Sequence, residues 1–485
     1  MSDEIALLPL PPPSRRVFCN RTLNMRSIKA VGFDMDYTLV HYRIERWEQR
    51  AYEQAKAKLL ELGWPVGDLS FDSRLTEQGL VVDTEEGNLV KANRFGYVKQ
   101  ASHGTRMLDF DEQRRVYGRD TVDLDSARWE FMNTYFSLSR ACLFLQAVDL
   151  RDEGKLPGDP RYSEIYRTVD AAVDEVHFLG RLKAEIASDP ASYVELDPEL
   201  PLALLDLRHS GKKLLLITNS GWFFTQSMMS YALDRYLPAG SSWRDLFDLV
   251  IVSSRKPDFF THRNPIFEVV GEDGMLRPVA GPLRDGTVYL GGDAHTVETH
   301  LGLSGAEILY VGDHIYTDVT VSKTLLRWRT ALVLRDLEQE IEALEAFKPS
   351  QARLAALMED KERLEHTACL LRLRLRRTEE GYGPAPEGSP GQVHQRLQAI
   401  KARLIALDDE IAPLARAAST LRHPRWGLTM RAGNDKSHLA RQIEAHADIY
   451  TSRVSNLALC TPFVFLRSPR GSLPHDGGPD GGVSA

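Results

Sequence analysis

Short apolar runs recur along the chain, and each ends in polar residues. IKAVGF (28–33) runs into Asp34, KLLLIT (213–218) into Asn219 and Ser220, DLVIVSS (248–254) towards Lys256, and EILYV (307–311) towards Asp313. TALVL (330–334) is a fifth. Runs of this length, separated by helical spacing, predict the strands of a parallel sheet buried on both faces. In such sheets ligands bind beyond the carboxyl ends of the strands. Any one polar residue at that edge reads as a solvated loop position, but four of the five runs deliver Asp, Thr/Asn or Lys there.

The long stretch between the first two runs has another texture. Residues 46–62 (RWEQRAYEQAKAKLLEL) and 123–147 show mixed apolar and charged helical spacing, and GLVVDTEEGNLVKAN (79–93) predicts a hairpin turning at Glu86, Gly87 and Asn88. This predicts a mostly helical cap inserted after the first strand and hanging over the sheet's carboxyl edge. Farther on, Leu354, Leu357, Leu364, Ala368, Leu371 and Leu375 follow a 3,4 spacing broken by Lys361. Leu397, Ile400, Leu404, Leu407, Ile411 and Leu414 follow it unbroken. With GYGPAPEGSPG (381–391) between them, these predict an antiparallel helical hairpin, serving either as an arm packed on its own chain or in assembly.

The expected division is a flexible N-terminus (1–24), a catalytic core (25–45 and 195–345), the inserted cap (46–194), the heptad hairpin (346–425), a C-terminal segment packing on the core (426–467) and a disordered tail (468–485). Composition narrows the class. Over 485 residues, 43% hydrophobic and 26% charged content is ordinary for a globular protein, and a net charge of -8 argues against a nucleic-acid binder. Cys19, Cys142, Cys369 and Cys460 form no C-x-x-C pair, so neither zinc nor a disulfide framework is suggested, and a reducing cytoplasm is expected. No apolar run is long enough to span a membrane, and MSDEIALLPLPPPSRR lacks the features of a signal peptide.

The first strand ends in DMD, and in a strand Asp34 and Asp36 would point the same way, where they repel. A Mg2+ ion between Asp34 and a phosphate would relieve that repulsion, because hard cations prefer oxygen ligands. Asp34 then becomes a nucleophile towards phosphorus and Asp36 a neighbouring acid and base. Thr218 and Asn219 offer a hydroxyl and an amide to the phosphate, Lys256 a point charge, and Asp313 a second carboxylate for the metal. Asp318 could be another ligand or an outer partner.

DMDYT (34–38), ITNS (217–220), RKP (255–257) and GDHIYTD (312–318), in that order, resemble the four motifs of the haloacid dehalogenase superfamily. FDLVIVSSRKPDFF (247–260), GPLRDGTVYLGG (281–292), ILYVGDHIYTDV (308–319), WRTALV (328–333) and HADIYTSRVSNL (446–457) are similar, more narrowly, to the cytosolic purine 5'-nucleotidase family. The resemblance covers residues 28–475. It implies a Rossmann-like parallel sheet, Asp34 as nucleophile, Asp36 as acid/base, and Mg2+ held by Asp34, the Asp36 main-chain carbonyl and Asp313. It implies phosphate contacts from Thr218, Asn219 and Lys256. HFLGRLK (177–183) is similar to a stretch that contacts the nucleotide, which nominates His177, Phe178 and Lys183; ordinary cap packing is the alternative for the first two. Where the family has an aromatic residue and an Asn that hold the base after a His-Gly, this chain has Thr105 and Arg106 after His103 and Gly104, which nominates these two as substrate contacts at the base, with Arg106 able instead to reach a phosphate or a carbonyl edge.

The expected function is therefore Mg2+-dependent hydrolysis of nucleoside 5'-monophosphates, purine ones of the IMP/GMP type, through an aspartyl phosphate. Transfer of the phosphoryl group to a nucleoside would be an added capacity, in a homo-oligomer (dimer or tetramer). The alternatives are a phosphatase for another small ester and a non-catalytic scaffold, which would have no reason to keep adjacent like charges.

Overall fold

Leu249–Val252 (LVIV) and Ala30–Phe33 (AVGF) are buried at every position. Only a strand covered on both faces can bury consecutive side chains in this way. The computed structural model, which describes residues 10–178, 180–384 and 388–469, places both in one ten-stranded sheet. From edge to edge its order is Phe18–Cys19, Ile449–Thr451, Arg329–Val333, Ile308–Gly312, Ala30–Phe33, Lys213–Ile217, Leu249–Val252, Thr287–Gly291, Ile266–Val270 and Met275–Pro278. Neighbours from Ile449–Thr451 to Thr287–Gly291 run parallel, and the pairings outside them are antiparallel. One flank is filled by Phe259, Phe260, Tyr310 and Trp328, with Ala294 and Val297 from the helix Ala294–Leu301.

All five apolar runs are strands of this sheet. Thr287–Gly291 and Ile449–Thr451 are additions that single-sequence patterning missed, because short strands gain their identity from the neighbours they pair with. Residues 1–24 were expected to be flexible, yet Phe18–Cys19 pairs with Ile449–Thr451, and Leu23–Asn24 pairs with Phe465–Leu466. The tail from residue 470 lies outside the described residues.

Ala30–Phe33 sits between Lys213–Ile217 and Ile308–Gly312. The chain builds outward on one side of it and later on the other, so a crevice opens at its carboxyl end.

The chain leaves the sheet through His41–Tyr42 and returns through Val194–Glu195, two crossings that pair antiparallel as a ribbon. Between them, helices predominate: Ile44–Glu61, Leu138–Asp152, Tyr162–Phe178 and Arg181–Ser188. Beside them stands a five-stranded antiparallel sheet, Arg106–Met107, Val98–His103, Asn88–Ala92, Val81–Asp83 and Trp129–Phe131, of which patterning saw only the hairpin at 79–93. The helical spacing at 123–147 also misled at its start. Trp129–Phe131 is a strand, Tyr135–Ser137 a 3-10 turn, and the helix begins at Leu138.

Gln339–Leu428 forms a second compact unit. Within it Leu357 packs with Leu407 and Ile411, while Leu371 and Leu375 pack with Val393 and Ile400, the pairing of an antiparallel helix pair. Lys361, the residue that interrupts the heptads, reaches Asp408 at 2.6 Å.

Candidate active site

Each strand end beside the crevice contributes a side chain. Asp34 follows Phe33, and its amide donates to the Val311 carbonyl at 2.9 Å, which ties the DMD turn to the neighbouring strand. The backbone is tightly turned here: Tyr37, Ser253 and Arg255 have φ of 53°, 48° and 59°, which non-glycine residues adopt only when their surroundings enforce it.

Lys256 lies at the centre. Its Nζ is 2.9 Å from Asp34 Oδ1 and 2.7 Å from Asp318 Oδ1, and it donates to the Tyr310 hydroxyl at 3.0 Å. The Tyr310 hydroxyl in turn donates to the Ile217 carbonyl at 2.9 Å. Two glycines make room for this cluster. A Cβ at Gly32 would meet the Tyr310 ring at 2.8 Å, and one at Gly312 would collide with the Asp318 carboxylate.

Asp36 has both carboxylate oxygens engaged. The Tyr42 hydroxyl donates to Oδ1 at 2.6 Å, the Ser220 hydroxyl donates to Oδ2 at 2.6 Å, and Lys183 Nζ donates to Ser220 Oγ at 2.8 Å. Lys183 thereby ties the cap to the core motifs.

Thr218 is fully buried, and its hydroxyl accepts the Ser220 amide at 3.1 Å. The Asn219 side chain is committed to the loop that carries Lys256. Its Oδ1 accepts the Lys256 amide at 2.6 Å and the Ser254 hydroxyl at 2.9 Å, and its Nδ2 donates to the Lys256 carbonyl at 3.1 Å. Asn219 therefore fixes the lysine loop as well as lining the crevice.

The electrostatics favour a cation. Burial pushes the Asp34 carboxyl up to about 7 against the pull of Lys256, with Asp318 and Asp36 adding repulsion. Burial and the nearby Asp318 and Asp34 raise Asp313 well above the carboxylate range. Burial would lower Lys256, but Asp318 and Asp34 more than reverse that and hold it firmly protonated. One ammonium thus faces several buried carboxylates. Asp313 Oδ2 is buried without a hydrogen-bond partner, and Asp34, Asp313 and Asp318 each offer an oxygen within 4.8 Å of the others. An all-oxygen set of this kind fits a hard divalent cation. Asp36, with both side-chain oxygens taken, could join such a set only through its main chain.

The cluster opens into a cavity of about 320 Å³. Asp34, Asp36, Asn219, Ser220, Lys256 and Asp313 form its floor, and Phe136, Ser137, Arg140, Asp174 and Lys183 of the insertion face them. Phe136 rests on Tyr37 and Trp47, with ring centroids 4.8 and 5.3 Å apart. Arg140 is held by Asp170 at 2.9 Å and Asp174 at 2.5 Å.

Thr105 and Arg106 do not line this cavity. The Thr105 hydroxyl donates to Asp149 at 2.5 Å, and Arg106, mostly exposed, pairs with Glu112 at 2.8 Å. The expectation that these two positions hold the base is corrected to that extent: their polar groups stabilise the cap's own sheet and helix ends. The side chains of His177 and Phe178 lie outside the described residues. Sequence reasoning missed Tyr42, Phe136, Arg140 and Tyr310, which sit within apolar or helical-looking stretches and resemble core. Ser220 was visible in the ITNS string but had no role assigned.

An aspartate at a strand's carboxyl end paired with a buried lysine, beside further carboxylates and under an inserted cap, is the arrangement of a phosphoric monoester hydrolase. The chain belongs to the 5' nucleotidase family, whose model matches residues 17–478. It is 28% identical over 472 residues to a 5'-nucleotidase domain-containing protein of Dictyostelium discoideum, covering 95% of this chain and 74% of that one. Among solved structures it has distant likenesses to an archaeal beta-phosphoglucomutase of Pyrococcus (12% identity, 63% of this chain, 86% of that one, TM-score 0.29) and a predicted phosphoglycolate phosphatase of Haemophilus somnus (12%, 63%, 85%, TM-score 0.28). These two are too distant to carry weight. No helix among the described residues is long and apolar enough to cross a membrane.

Proposed function

We propose that this protein is a Mg2+-dependent 5'-nucleotidase that hydrolyses nucleoside 5'-monophosphates, purine ones of the IMP/GMP type, through an aspartyl phosphate on Asp34. The observation that carries the reading is the single cavity lined by the Asp34–Lys256 pair and, from the insertion, by Phe136. Its volume suits a phosphate at one end and a base at the other.

An oxygen of Asp34 attacks phosphorus, the bond from phosphorus to O5' breaks with its electron pair going to O5', and the proton of Asp36 moves to O5' to release the nucleoside. Water then attacks the aspartyl phosphate and Asp36 takes its proton. The bond between phosphorus and Asp34 breaks, freeing phosphate and restoring the carboxylate. Lys256 stabilises the charge on the phosphoryl oxygens, and the turn Thr218–Asn219–Ser220 shapes the phosphate seat. Asp34 and Asp313, with the Asp36 main-chain carbonyl, would hold Mg2+, and Asp318 would orient that set. The bound ion supplies charge neutralisation at the phosphoryl group. Phe136 offers a stacking face for the base, and Arg140 with Asp174 offers polar edges. A nucleoside in place of water would make the same intermediate a phosphoryl donor. A homo-oligomer in the cytoplasm is what the family resemblance implies; the heptad seams themselves are filled within the chain.

Phosphate release from a panel of nucleoside monophosphates and base-free esters, with Mg2+ and with chelator, tests this. Turnover is expected with purine nucleotides and to be lost on chelation. Equal rates on base-free esters would overturn the nucleotide assignment.

A further inference from the structure

Asp36 is gripped from two sides by groups with different freedom. Tyr42 is 2% exposed and stands on the outgoing strand of the ribbon that joins core and insertion, paired with Val194. Its ring is fixed edge-on to Tyr37, with centroids 5.3 Å apart, and lies 4.5 Å from Trp47. A phenol hydroxyl keeps its hydrogen near the ring plane, so a ring wedged in this way aims its donor along one line, at Asp36 Oδ1, 2.6 Å away. Ser220 is different. Its hydroxyl turns freely about Cβ–Oγ, and beyond donating to Oδ2 it accepts from Lys183 at 2.8 Å, with one lone pair to spare.

We propose that Tyr42 is a positioning residue for the proton transfer by Asp36: it pins Oδ1, fixes the rotation of the carboxyl group, and leaves Oδ2 as the oxygen that delivers and collects the proton. This rests on the reaction proposed above. When Oδ2 carries the proton, Ser220 turns to accept from it while still accepting from Lys183; when Oδ2 is bare, Ser220 donates. Tyr42 donates throughout. Its place on the crossing strand sets the aim of the acid from the same backbone that carries the cap.

A role in aiming the acid separates from a role in packing by its dependence on the leaving group. A nucleoside alkoxide needs the proton as the bond to phosphorus breaks, whereas 4-nitrophenolate leaves as a stable anion. Tyr42→Phe, made in the full chain, keeps the ring and removes only the hydroxyl. Its kcat/KM on the best nucleoside monophosphate is expected to fall about 10- to 100-fold, and on 4-nitrophenyl phosphate by less than about 3-fold. Ser220→Ala, which frees the opposite oxygen, provides a second arm and is expected to show the same direction of selectivity. Equal losses on both esters, or none, for Tyr42→Phe overturn the positioning role, as does a melting temperature that falls in step with activity. A parent protein inactive on both esters overturns the reaction itself, so the two failures are distinguishable.

Discussion

The ammonium of Lys256 is held 2.9 Å from Asp34, with the lysine side chain 2% and the aspartate side chain 12% exposed. A charge pair so far from water is a poor source of stability but a strong constraint: removing the lysine strands the carboxylates, whereas Lys256 without Asp34 still has Asp318 at 2.7 Å. Lys256→Met would leave Asp34 and Asp318 without their cation. The turnover rate should fall by about two to four orders of magnitude, as expected when a transition-state charge is lost. The melting temperature should fall too, less so at low pH where the carboxylates take up protons. Phosphate release and thermal melts at two pH values check both.

Asp34→Asn keeps the shape of the site and removes the nucleophile. Turnover should be abolished while circular dichroism and melting are preserved or raised, since one member of a crowded acidic cluster becomes neutral. Activity within tenfold of the parent would exclude the covalent route.

Phe136→Ala tests where the base sits. Stacking on an aromatic face is worth about 1–3 kcal/mol per base. The variant should lose roughly 5- to 150-fold in kcat/KM on nucleotides, with little change on a base-free ester. Thr105→Phe with Arg106→Asn, at positions away from the cavity, should leave base preference unchanged. Steady-state kinetics on paired substrates decides between the two locations.

Glu48 supplies a stability prediction. It is fully buried, accepts the Ser139 amide at 2.7 Å through one oxygen, and leaves the other unpartnered. Burial raises its carboxyl from 4.5 to about 7. The folded form then holds a proton that the unfolded chain releases, so stability is lost as pH rises from about 4.5 to about 7, by about 3 kcal/mol in all. Glu48→Gln should remove that slope: the variant should match the parent below pH 4.5 and exceed it above pH 7. Denaturant titrations across this range measure it.

The sequence by itself determined which polar residues stand at the sheet edge. Asp34, Thr218, Lys256 and Asp313 were legible because consecutive apolar residues in a buried strand leave an unmistakable run, and the first polar residue after it marks the carboxyl end. The two heptad stretches were legible for the same reason, since a helix pairing along one seam must repeat its apolar positions. Tertiary structure decided what local pattern cannot encode. Tyr42, Phe136 and Tyr310 are aromatic residues in apolar surroundings, and whether such a ring faces a core, a cavity or a carboxylate depends on what the distant chain places opposite it. Thr105 and Arg106 stood out as departures from a pattern, but their partners Asp149 and Glu112 were within reach and took their polar groups. The strand Ile449–Thr451 exists because Arg329–Val333 offers it an edge, and a three-residue strand has no signal of its own. Periodicity fixes which face of an element is buried; only the packed fold fixes what that face meets.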